Sequence, residues 1–283
     1  MNELQTLSNQ LADVVAAVAP AVIQVQNASG VVYARDLVLT NARALGREDG
    51  LRVRTHDGRT LDANLHGWDP ATGLALLRVE NLDAPPLTPG EPARVGNLAI
   101  AIGRSWSNGV TASFGIVSII GGPLRTGRGR SIDEVIRTTA PMHDGFAGGA
   151  FVDVGGKLIG IATAAEIRGL GVIIPAAIAW KTAAALHEHG HIRRGYLGVA
   201  GQPARIAEKN GLLIADVKAE SPAAAGGLMV GDVIVAFDGL PVESPEDLLD
   251  LLGGERVGKP VAINIFRGGT SKEVKVTVGD RSA

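Results

Sequence analysis

Leu4, Leu7, Leu11, Val14, Val15 and Val18 recur at three- and four-residue spacing with polar residues between them, which predicts an amphipathic helix at the start of the chain. Ala19-Pro20 ends it. Short apolar runs then alternate with turn residues as far as Val79-Glu80-Asn81, the pattern of brief strands. The stretch from Asp83 carries Pro85, Pro86, Pro89 and Pro92, and repeated prolines cannot continue a sheet ladder, so it reads as a crossover between two barrels. A second series of strand-like runs follows. Pro175 to Gly190 has helical spacing, with Trp180, Ala184 and Leu186 among its apolar residues, and is expected to close the second barrel and lead into a new domain. There, Ser244 is an N-cap, followed by acids in a first turn and leucines at helical spacing from Pro245 to Leu252. The expected organisation is residues 1–192, with barrels over about 20–82 and 93–178, followed by residues 193–283.

Composition supports that picture and narrows the chemistry. A length of 283 residues suits about two domains, and 46% apolar residues suffice for a core in each. With 4% aromatics the packing is aliphatic, and 38 glycines suit many strands joined by tight turns, an all-β-dominated chain. A formal charge of −2 argues against general nucleic-acid binding, which needs clustered cations to neutralise phosphates. Arg125-Thr126-Gly127-Arg128-Gly129-Arg130 is the local exception, either a solvated loop or a contact for an acidic partner at the rim of the site around Ala147. No cysteine is present, so disulfides drop out. His56 and His66 sit beside Asp57 and Asp69, and His187, His189 and His191 run along a polar segment, but no spacing matches a metal-ligand pattern. No metal or other cofactor is expected. No stretch is apolar enough to span a bilayer, and the polar face of the first helix lacks lysine and arginine, so that helix is expected to pack on a barrel rather than lie on a membrane. Met1 to Val25 shows no leader pattern, so the expected location is cytoplasmic if Met1 is the native start, and periplasmic or exported if the chain is a piece of a longer one.

Candidate chemistry centres on Asp144-Gly145-Phe146-Ala147-Gly148-Gly149-Ala150, a glycine-dense loop between two strand-like runs. Such a loop lets consecutive N–H groups converge on one point, as an oxyanion hole requires, and it equally serves as a plain turn. The segment resembles the G-N-S-G-G-P loop of the HtrA family of trypsin-like serine proteases, with Ala147 where the family has its nucleophilic serine. Val38-Leu39-Thr40-Asn41-Ala42-Arg43-Ala44 is similar to the family's L-T-N-x-H-V segment, with Arg43 at the histidine. Trp68 to Val79 is similar to its D-x-x-x-D-L-A-V-L-K-V segment, with Gly73 at the aspartate. The resemblance implies a trypsin-like double β-barrel followed by a PDZ domain.

Peptide hydrolysis in that design needs an oxygen nucleophile, a neutral imidazole and a carboxylate that orients it. Arg43, Gly73 and Ala147 supply none of these, and loss of such a unit costs on the order of 10⁶ in turnover. The expectation at this level is therefore a degenerate homologue that is no enzyme, keeping only the backbone of Gly145, Phe146 and Ala147 as a residual oxyanion loop. Relocated chemistry is the alternative, with His143 and one of Ser105, Ser107, Ser113 or Ser118 as candidates. A scaffold forming oligomers with an active relative, trimers by family, is another.

Residues from about Arg194 to Val278 resemble a PDZ module. Gly195-Tyr196-Leu197-Gly198-Val199 is similar to the loop in which backbone N–H groups receive a chain's terminal carboxylate. Arg194, Tyr196, Leu197, Gly198 and Val199, with Leu248 and Leu252 on the facing helix, are the implied groove residues, and protein or peptide C-termini the implied partners.

Overall fold

In a computed structural model the chain forms two compact units, Met1–His191 and Ile192–Ala283. The structure describes residues 3–45, 50–127, 130–190, 195–206, 209–252 and 256–280.

The first unit holds two closed six-stranded barrels. Strands β1 (Val22–Val25), β2 (Ala28–Ala34), β3 (Leu37–Asn41), β4 (Leu51–Arg54), β5 (Thr60–Trp68) and β6 (Leu74–Arg78) close in the order β1-β2-β3-β6-β5-β4. The second uses β7 (Leu98–Ser105), β8 (Gly109–Gly121), β11 (Val135–Thr138), β12 (Ala150–Asp153), β13 (Leu158–Ile167) and β14 (Leu170–Pro175). Its order, β7-β8-β11-β14-β13-β12, repeats the first barrel's connectivity. Between β8 and β11 a separate hairpin, β9 (Leu124–Gly127) and β10 (Arg130–Ile132), stands off the barrel. Closure leaves no sheet edge to protect, and the interiors fill with aliphatic side chains such as Ile23, Leu51 and Leu77 in the first barrel, joined by Phe151 in the second.

The proline-rich crossover is tied to both barrels: Leu87 N donates to Val32 O, and Leu158 N to Thr88 O. Helix α2 (Ala176–His189) lies against strands of both barrels rather than closing the second alone, with Trp180 edge-on to Tyr33 at 5.4 Å. Ala184 faces solvent, while Ala179, Ala183 and Leu186 carry the contact. Helix α1 (Glu3–Val18) also departs from expectation, because only its last turns pack: Val18 is buried, whereas Leu4 is 72% exposed. Arg104 at the end of β7 is a further tie between the barrels. Its buried guanidinium donates to Val22 O, Asn108 O and Ala19 O at 2.8, 2.8 and 3.1 Å.

In the second unit β15 (Gly195–Tyr196) pairs with β22 (Gly279–Asp280). The main sheet runs β16 (Val199–Ile206), β17 (Lys209–Val217), β18 (Val233–Phe237), β20 (Pro260–Arg267), β21 (Thr270–Thr277), with β19 (Leu240–Pro241) beside β18. Short helices α3 (Pro222–Ala225) and α4 (Pro245–Leu251) each begin at a serine N-cap. For α4 the cap is a full capping box, in which Ser244 Oγ accepts from Asp247 N and Asp247 Oδ2 accepts from Ser244 N. The core gathers Leu212, Ile214, Ile234, Phe237, Ile263 and Ile265 between sheet and helices.

Candidate active site and peptide groove

The glycine-dense loop links β11 to β12, and its position is set by the first barrel. Ser29, buried in β2, donates its backbone N–H to Ala147 O at 3.0 Å and its hydroxyl to Gly145 O at 2.7 Å. Gly148 follows with φ +81°, and a Cβ there would stand 2.2 Å from Ser29 O, so the chain passes β2 only because this residue has no side chain. Asp144–Phe146 form a single 3₁₀ turn. Within it Gly145 N donates to His143 Nδ1 at 3.0 Å, Phe146 N to His143 O at 2.9 Å, and Ala147 N to Asp144 O at 3.0 Å. All three amides of the residual oxyanion loop thus already have acceptors inside the loop, and an anion would have to displace them.

Arg43 and Gly73 are brought together. Both line a cavity of about 350 Å³, and Ala42 N donates to Gly73 O at 2.7 Å. Arg43 sits in the 3₁₀ turn after β3, capped by the Asn41 side chain, which accepts from Arg43 N. Ala147 is buried beside the end of β3, because Gly148 abuts Thr40 and Asn41. Neighbouring Asp69 is not available to the cavity in Gly73's place: its carboxylate already accepts from Ala71 N, Thr72 N and the Thr72 hydroxyl.

Of the loop's two neighbours, Trp106 is not legible from the sequence, and Ser105 is singled out by the fold from the four candidate serines. Trp106, 65% exposed, stacks on His143 with ring centres 4.7 Å apart, and the Phe146 ring lies tilted against the same imidazole at 4.8 Å. Ser105 Oγ is buried without a hydrogen-bond partner. A Cβ placed on Gly145 would stand 2.4 Å from that hydroxyl and 2.9 Å from His143 Nδ1, so the serine and histidine side chains both flank Gly145. Beside them Met142, His143, Asp144, Thr163, Ala165 and Glu166 surround a second cavity of about 240 Å³. His66 and His187 meet elsewhere, with the His66 ring 3.1 Å from His187 O.

In the second unit the carbonyls of the candidate carboxylate loop are fixed. Leu197 O accepts from Ala223 N and Gly198 O from Lys218 N. Because a trans peptide sets C=O and N–H on opposite sides, the Gly198 and Val199 N–H groups are turned away from those donors. Gly198 has φ +84°, and a Cβ on it would lie 2.3 Å from Ser221 Cβ. Leu197, Leu248 and Leu252 are buried in the unit's core cluster, against which Val199 packs. A groove of about 500 Å³ lies further along, between Pro203–Arg205 of β16 and Glu243, Ser244 and Asp247 at the start of α4. Arg194 lies outside the described residues, as do Arg128 and Gly129.

Comparison with known proteins matches this arrangement. A family model for the trypsin-like peptidase domain covers residues 28–161, and one for the PDZ domain covers residues 195–278. A probable periplasmic serine endoprotease, DegP-like, from Pseudomonas fluorescens is 33% identical over 267 residues, 89% of this chain and 56% of that protein. The serine endoprotease DegS of Haemophilus influenzae is 33% identical over 269 residues, 90% of this chain and 78% of that protein. A solved structure of the HtrA-type protease AlgW with a decapeptide superposes at TM-score 0.77, with 29% identity over 96% of this chain and 98% of that one. The chain spans little more than half the length of the DegP-like relative.

These findings correct one expectation and qualify another. The inference that the chain is no enzyme does not stand, because its relatives are named serine endoproteases and its structural neighbour an HtrA-type protease. Replacing three side chains removes one catalytic constellation and leaves the other hydroxyls and imidazoles of the chain unaddressed. A cytoplasmic location finds no support either, since the DegP-like relative is named periplasmic. Among the described residues no helix is long and apolar enough to cross a membrane. With both domain models matched in order and the fold shared nearly end to end, the chain belongs to the HtrA family of trypsin-like peptidases that carry a PDZ domain.

Proposed function

We propose that this HtrA-family protein recognises the C-terminal segments of other proteins through its second unit. One observation carries the reading: among the described residues β16 is paired on one side only, its free edge beside α4, and the Gly198 and Val199 amides stand at its start. An incoming strand satisfies that edge, and its carboxylate takes the loop amides, the usual economy of strand addition. The decapeptide bound to AlgW supports the reading by likeness. Peptides with an apolar last residue should bind the full chain, with amidation of the terminus weakening them about tenfold or more, as expected for loss of a charge-assisted hydrogen-bond set. Gly198→Ala should abolish binding, since alanine at φ +84° is strained and its Cβ meets Ser221. Isothermal titration checks both, and equal affinity for free and amidated termini would sink the proposal.

A second reading follows the relatives' serine endoprotease names. The positions carried over from the family, Arg43, Gly73 and Ala147, supply no hydroxyl, imidazole or carboxylate, so hydrolysis on this reading runs through other groups. The favouring observation is the approach of Ser105 and His143 at Gly145. His143 Nδ1 already accepts from Gly145 N, so the ring must release that amide before it can take a proton there. A fluorophosphonate label lost on Ser105→Ala supports this reading, and no label excludes it.

A further inference from the structure

We propose that the cavity holding Arg43 is a receptor for an acidic side chain, aspartate or glutamate, of an extended peptide. It lies in the first unit and is independent of the carboxylate loop of the second. Three observations carry the assignment. First, two guanidinium-bearing residues far apart in sequence, Arg43 after β3 and Arg130 on the β9–β10 hairpin, line one cavity of about 350 Å³. Second, Arg130 Nε is buried with no hydrogen-bond partner, and among the described residues neither arginine is in an ion pair. A buried donor left in that state is disfavoured until an acceptor arrives. Third, the wall contains no carboxylate. Asp69, the nearest acid in sequence, is saturated by Ala71 and Thr72, and the Thr163 hydroxyl donates to Val172 O.

What the cavity lacks is an anionic acceptor, and beyond the two cations and a few neutral polar groups its large side chains are apolar. Trp68, 44% exposed, stands with Leu124 and Ile132 around the same space. A free inorganic anion would satisfy the cations and leave those walls wet. A peptide would satisfy both, because its carboxylate reaches the planar forks while neighbouring side chains cover Trp68 and Leu124. Thr126, on the hairpin with Arg130, adds a hydroxyl to the rim. The arginine-rich hairpin segment thus does more than meet solvent, and Arg43 acquires a role suited to a permanent cation.

The test uses the full chain and a heptapeptide acetylated at its N-terminus and amidated at its C-terminus, with a central glutamate flanked by leucines, against the same peptide with glutamine. Amidation removes the terminal carboxylate, so failure here is separable from failure of the second-unit reading. The glutamate peptide should bind about tenfold or more tightly than the glutamine one, the gap of a charge-assisted pair, and the gap should shrink as salt rises. Arg43→Gln and Arg130→Gln should each bring the glutamate peptide toward the glutamine peptide's affinity, with an unchanged melting temperature showing that the fold is intact. Equal affinities for the two peptides would overturn the proposal, as would a gap that survives both substitutions together. Inorganic phosphate binding as tightly as the peptide would also overturn it, by revealing an anion site without peptide recognition.

Discussion

Arg104→Met should destabilise the first unit by about 1–3 kcal/mol, the cost of leaving a buried acceptor without its donor. The side chain is 4% exposed and holds no carboxylate; its charge is distributed over the carbonyls of Ala19, Val22 and Asn108. Burial pulls its pKa below the ordinary arginine value, the mark of a cation kept from water. Methionine fills much of the volume but donates nothing, so Val22 O, inside the first barrel, is left without its partner, while Ala19 O and Asn108 O are close enough to solvent to recover part of the loss. Arg104→Lys should recover only a fraction, since an ammonium on a flexible stem cannot reach three carbonyls in the plane of a fork. Urea unfolding followed by amide exchange of β1 and β7 measures both. A methionine variant within about 1 kcal/mol of the parent would mean that the three bonds are replaced by water at little cost.

Asp232→Asn should weaken the second unit by about 3 kcal/mol at neutral pH, at the low end for a broken buried pair because the partner keeps some access to water. Asp232 has a side chain 1% exposed and receives Arg267 Nε at 2.7 Å, Arg267 Nη2 at 2.8 Å and Met229 N at 2.8 Å. Burial by itself pushes its carboxyl up, but the Arg267 guanidinium, the Met229 amide and the charge of Lys272 outweigh that, and the net pKa is below the ordinary value. The pH dependence follows from that sign. A carboxyl more acidic folded than unfolded stabilises fully above the unfolded value, about 3.9, and the contribution disappears as pH falls from there through the folded pKa. The gap between parent and variant should therefore be constant from pH 7 to about 5 and narrow below about 4. A gap that stays constant to pH 2 would show that Asp232 acts through packing and not through its charge.

Sequence and structure agree most closely where the determining forces are local. Ser244 with Asp247, Ser221 ahead of Pro222 and Gly190 after His189 fix helix ends through bonds to near neighbours, and those ends are readable from residue type. Strand existence is equally readable, because a half- or fully buried strand imposes apolar residues along its length. Helix α1 shows the limit: its apolar stripe is real, but Leu4 and Leu7 face solvent in this chain because the barrel surface reaches only the last turns. The site divides the same way. Arg43, Gly73 and the Gly145–Ala147 loop could be picked out from motif spacing, Arg125 to Arg130 from its charge as a contact at the site's rim, and His143 with four serines as candidates, whereas which arginine lines the cavity of Arg43, and which serine flanks Gly145 with His143, took the tertiary structure.

The order of residues by itself determined the strand-rich character, the split into two units, the helix caps and the absence of a carboxylate, imidazole and hydroxyl at Gly73, Arg43 and Ala147. Only the tertiary structure decided that the loop's amides are already bonded within the loop, that a guanidinium nitrogen with no hydrogen-bond partner lies on a residue sharing a cavity with a second cation, and that Arg104 is one of the ties between barrels. The reason is that residue type fixes what a group can donate or accept, whereas barrel closure, which joins strands distant along the chain, fixes which acceptors it meets and how much water remains to compete for them.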